Sequence, residues 1–77
     1  MDTNQRLMAE RVLALAYLMK CDVAVANLKY ALGLADRAEQ VDVNTRAADA
    51  AEIRGCVTVA IAALSIWNDA RRTARSE

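Results

Sequence analysis

Two pairs of acids spaced three apart, Asp36 with Glu39 and Asp49 with Glu52, come closest in this sequence to a catalytic constellation. Residues at i and i+3 share a helix face, so each pair offers neighbouring carboxylates of the kind that divide acid and base roles. Neither pair has company. The chain contains no histidine, the commonest proton carrier near neutral pH. Asp49 and Glu52 fall early in a predicted helix, where carboxylates ordinarily answer the positive end of its dipole.

Other chemistries also lack parts. Cys21 and Cys56 sit in apolar stretches without paired spacing, which reads as two buried thiols rather than a disulfide framework or metal site. A thiolate nucleophile needs a cation on its own face, and Lys20 is only the sequence neighbour of Cys21. Ser65 has no histidine to activate it, and no Gly-rich turn follows a strand to cradle a phosphate. The expectation is therefore a protein that is not an enzyme, with no catalytic residues, cofactor or metal. The enzymatic alternative is an all-α chain with an anion site formed between subunits from Arg11, Lys20, Lys29, Arg46 and Glu52.

Charge narrows the partners. Ten basic residues balance ten acidic ones, so no net field draws the chain to nucleic acid or to an anionic membrane. The basic end, Arg71, Arg72 and Arg75, fits cations answering a helix C-terminus. The opening residues, MDTNQR, do not resemble a secretory leader, and the twelve-residue run Cys56 to Trp67 falls short of the roughly 20 residues of a membrane span. A cytoplasmic chain is expected.

The elements that carry these residues are helical. The 77 residues make one domain with no proline, two glycines and 17 alanines, a helix-forming composition. Asp2 or Thr3 can cap a helix over about 3–40, with Gln5 completing a capping box. Val41–Asn44 reads as a turn, with Asn44 or Thr45 capping a second helix over about 45–75. Gly33 offers a possible end to the first helix, leaving a short third helix from Leu34 to Gln40.

On a helical wheel the first helix is apolar on opposite sides. One stripe contains Leu18, Cys21, Val25, Leu28 and Leu32; the other contains Val12, Ala16, Met19, Val23, Ala26 and Tyr30. A two-helix antiparallel hairpin covers only one of them. The fold expected is therefore an all-α hairpin that pairs with a second copy as a four-helix bundle, with Leu18, Cys21, Val25, Leu28 and Leu32 as the dimer interface. Tyr17, Lys20 and Asn27, on or beside the polar seams, are candidates for contact with a foreign protein. The function this implies is a small interaction module that binds and modulates or inhibits another protein, of the accessory or regulatory type found in bacteria and phages. A secretion-type chaperone and an assembly scaffold are alternatives within that class.

Overall fold

A computed structural model describes residues 2–76, and every regular element among them is helical: α1 (Thr3–Leu18), α2 (Asp22–Asp36), a single 3-10 turn (Ala38–Gln40) and α3 (Val43–Ser76). Asp2 starts α1 as the sequence suggests. Its carboxylate accepts from the Gln5 N–H at 2.8 Å and its own N–H donates to Gln5 Oε1 at 3.3 Å, so two otherwise orphaned donors are satisfied together.

The long first helix expected over 3–40 is interrupted after Leu18. Lys20 has φ 56°, the left-handed region in which glycine usually ends a helix. The Cys21 N–H donates to the Ala16 carbonyl at 3.0 Å and the Lys20 N–H to the Tyr17 carbonyl at 3.1 Å. This 6→1 and 5→2 pair is the Schellman arrangement. Ala16 and Cys21, the residues it brings together, are both buried. The chain reverses within three residues, and Asp22 places a negative charge in the first turn of α2.

Gly33 ends nothing. It lies inside α2, and the short third helix is only the turn at Ala38–Gln40. The Arg46 guanidinium ties that turn down, with Nε donating to the Ala38 carbonyl at 2.8 Å and Nη2 to the Val41 carbonyl at 3.2 Å. Asp42, rather than Asn44 or Thr45, caps α3: its carboxylate accepts from the Thr45 N–H at 2.7 Å. Hydrogen bonding to the Thr45 side chain, and then to its N–H, holds the Asp42 pKa below its ordinary value.

The two reversals make α1 antiparallel to α2 and α2 antiparallel to α3, so α1 and α3 run in the same direction. Two contacts mark the ends. Arg6 near the start of α1 reaches Asp36 at the end of α2 at 2.7 Å. The Trp67 indole N–H donates to the Met19 carbonyl at 2.6 Å, pinning the α1–α2 turn to α3. The molecule measures 52 × 18 × 17 Å. A 34-residue helix is about 51 Å long, so α3 sets that length and runs about 13 Å past Trp67, beyond the end of its neighbours.

The helix greasy on opposite sides is thus α2 alone, sandwiched between α1 and α3 of its own chain. The core holds Ala16, Cys21, Ala24, Leu28, Ala60 and Leu64, flanked by Val12, Leu13, Met19, Val25, Val57 and Ala63. Half of its buried centre is alanine, which lets backbones approach closely but removes little apolar area from water per residue. Leu28 is the only large side chain that is fully buried among the described residues.

Candidate functional site

Three of the four paired acids have structural partners. Asp36, which ends α2, pairs with Arg6, while Glu39 sits on the 3-10 turn, so the two do not share a helix face. Asp49 is buried and held by Arg37 in a two-pronged pair, Nε to Oδ2 and Nη2 to Oδ1, each at 2.8 Å. These hydrogen bonds keep the Asp49 carboxyl below its ordinary pKa and raise that of Arg37. Glu52 accepts from the Tyr30 hydroxyl at 2.8 Å, which pushes the phenol's pKa up. No group of three or more potential metal ligands exists among the described residues.

Of the cations considered for an anion site, Arg46 is spent on the 3-10 turn, and Lys20 lies at the opposite end of the bundle beside Met19. One chain does not bring them together. Cys21 is a buried free thiol at the start of α2, and Cys56 is a half-buried one within α3.

The residues expected to form a dimer interface divide. Cys21 and Leu28 lie in the chain's own core and Val25 packs against it, while Leu32 is half-buried; Leu18 alone stands out at 79% exposed. The correction has one cause: folding at Lys20 turns α1 back onto this stripe, so the chain itself covers what a second copy was expected to cover. Of the partner-binding candidates, Tyr17 is 54% exposed and lies in the same turn as Lys20. Asn27 is half-buried, and its amide donates back to the Val23 carbonyl at 2.8 Å.

The apolar surface left over is elsewhere. α1 and α3, parallel and touching only sparsely, leave an open groove of about 310 Å³ lined by Met8, Ala9 and Val12 on one side and Ile53, Val57 and Ile61 on the other. Gln5, Arg54 and Thr58 form its rim. The Arg54 side chain has no hydrogen-bonding or charged partner among the described residues. Met8 is 65% and Ile61 52% exposed, and Leu15, seven residues beyond Met8 and so on the same side of α1, is 47% exposed. The sequence carried a signal for this face: Met8 and Leu15 are in register with Val12 and Met19 of the second stripe, so the spacing places them on one side of the helix.

A folded monomer of 8.4 kDa is expected to expose about 4,600 Å² by the usual size scaling. This chain exposes 5530 Å², in keeping with its elongated shape of 52 × 18 × 17 Å. The Cys56–Trp67 run lies inside a longer helix: over Val43–Ala74, α3 is by length and composition long and apolar enough to cross a membrane, with a mean hydropathy of 1.5 over its most apolar stretch.

Arg71 and Arg72 are exposed on the α3 overhang, and the side chain of Arg75 lies outside the described residues. No protein-family model matches the chain, and no curated protein or solved structure compared with it is similar.

Proposed function

We propose that this chain is a non-enzymatic helical docking module: a homodimer that works by offering apolar helix faces to another protein, whose activity it modulates or inhibits. The observation that carries the reading is the inverted balance of its apolar residues. The interior is mostly alanine, while Met8, Leu18, Ile61 and Ile66 are each more than half exposed. Met8 and Ile61 flank the groove between α1 and α3, and exposed apolar residues gathered along a groove mark a surface suited to a partner. Among the acids, Asp2 and Asp42 cap helices, Asp36 and Asp49 pair with Arg6 and Arg37, and Glu52 accepts from Tyr30, so these five support the fold.

The test compares tagged wild type with Tyr17→Ala and Met8→Lys in quantitative pull-downs. A docking module retains a specific partner that at least one of the variants loses. Retention of no partner above background counts against it, as does a melting temperature raised by phosphate or small dicarboxylates, the mark of an enzyme with an anion site.

A second reading, association with a membrane through α3, is favoured by that helix's length and apolarity. Against it, the same helix carries the buried Asp49–Arg37 pair and the Glu52–Tyr30 bond, and its apolar centre already packs on α2. Flotation with anionic vesicles at low salt separates the two readings.

A further inference from the structure

Resting on the homodimeric reading, we propose that two copies of this chain pair by exchanging α1: the turn at Lys20 opens, α1 and α2 join into one helix over 3–36, and α1 of each copy takes the place of the other's against α2 and α3. The turn carries the first reason. Lys20, at φ 56°, is the only residue with positive φ among the described ones, and the segment Tyr17–Asp22 has no glycine, asparagine or proline to favour a reversal or to bar a helix. Straightening trades the two bonds of the turn, Lys20 N–H to Tyr17 and Cys21 N–H to Ala16, for helical bonds to carbonyls four residues back. It also sheds the left-handed strain, and a short strained hinge between two packed elements invites exchange.

The second reason is Leu18. Cys21 and Leu28 lie in the core and Val25 packs against it; Leu18, three residues before Cys21 and seven before Val25, is in phase with them along an unbroken helix. In the closed chain it is the most exposed large apolar side chain among the described residues, at 79%, because the reversal at Lys20 turns it out of that register. Length is the third reason. An unbroken helix over 3–36 has as many residues as α3, 34, so the part of α3 that overhangs the closed bundle gains α1 as a neighbour.

Only another copy supplies what fits the vacated place. Each contact that α1 makes beyond the turn is remade between copies, including the 2.7 Å pair of Arg6 with Asp36, so exchange is opposed mainly by the freedom lost on association and by the turn's own bonds. Among those is the Trp67 bond to the Met19 carbonyl, which an unbroken helix gives to the Val23 N–H instead.

Native mass spectrometry on two charge-reversed chains decides it. Arg6→Asp and Asp36→Arg each set like charges opposite one another within a single chain and within a homodimer, whereas an exchanged heterodimer restores an acid opposite a base at both ends. Unfolded together and refolded, the mixture should hold heterodimer at about three-fold or more above its statistical share. Sedimentation equilibrium supplies the second readout. Wild type refolded at high concentration should sediment at twice 8.4 kDa. Lys20→Gly relieves the closed turn and weakens the unbroken helix in both copies, and should raise the dimer dissociation constant by about 100-fold or more. Trp67→Phe removes a bond made only in the closed turn and should lower that constant about ten-fold.

Heterodimer at its statistical share, or a dimer tightened by Lys20→Gly, overturns the exchange and leaves the homodimeric reading standing. A wild type monomeric at every concentration overturns both.

Discussion

Lys20→Gly has opposite signs in the two possible architectures of this chain. If residues 3–40 formed one helix, glycine at its centre would cost about 0.7–1 kcal/mol relative to lysine. In the folded-back structure, Lys20 sits at φ 56°, where an L side chain costs about 1–2 kcal/mol that glycine does not incur. Against that gain stands the greater freedom of glycine in the unfolded chain, about 0.4–1 kcal/mol. The net expectation is a stabilisation of about 0.5–1 kcal/mol, or roughly 3–6 °C in Tm for a domain of this size. Lys20→Val makes the complementary perturbation, since a β-branched residue is strained at positive φ, and should destabilise. Urea and thermal unfolding followed at 222 nm measure both. The variants should be compared at equal, low concentration so that association does not shift the apparent midpoint. A Lys20→Gly protein less stable than wild type would refute the left-handed turn and, with it, the covering of α2 by its own chain.

Three further perturbations probe the interior. Arg37→Gln removes the bonds that hold the Asp49 carboxyl below its ordinary value. A depressed carboxyl contributes stability above its unfolded pKa of about 4 and loses it as pH falls through the folded value, so the variant's acid-unfolding midpoint should move to higher pH. An unmoved midpoint would show that the pair is not formed in solution. Trp67→Phe leaves the Met19 carbonyl without its indole donor and should cost about 1 kcal/mol in urea unfolding; no loss would mean that the α1–α2 turn is not pinned to α3. Leu28→Ala should cost about 2–5 kcal/mol, whereas Leu18→Ala, from the same predicted stripe, should change single-chain stability by no more than about 0.5 kcal/mol. Equal losses would contradict the burial pattern.

Much of the local structure was legible in the sequence. Asp2 and Gln5 announce the first cap, the absence of proline and the abundance of alanine announce helices, and Val41 and Asp42 fall in the turn into α3, although Val43 and Asn44 already belong to that helix. The two-sided apolarity of the segment around Leu28 was also read correctly, because periodicity reports how many neighbours a helix face has. Periodicity does not report which chain supplies them. Tyr17–Asp22 holds no glycine, asparagine or proline, so the one residue in left-handed conformation is a lysine in a stretch of good helix formers. The turn is stabilised by burying Ala16 and Cys21 against each other, a tertiary gain that local propensity does not encode. Its weak trace is Asp22, an acid placed where a new helix begins.

The site was less legible for the same reason. Once α1 folds back, Cys21 and Leu28 pass from the expected interface into the core. Met8 and Leu15, in register with the second stripe, come to flank one groove together with Ile61 of α3. Asp49 and Glu52 were seen as helix-terminal acids, but their partners Arg37 and Tyr30 lie 12 and 22 residues away. No spacing rule connects such pairs before the topology is known.

Isotope-filtered NOE spectroscopy on a refolded mixture of ¹³C-labelled and unlabelled chains tests the central claim most directly, because it observes only contacts between copies. The homodimeric reading requires intermolecular cross-peaks from exposed apolar side chains such as Met8, Leu18, Ile61 and Ile66. Cross-peaks arising from the buried Leu28 would report the exchange of α1, and no cross-peak between copies at any concentration would contradict the reading.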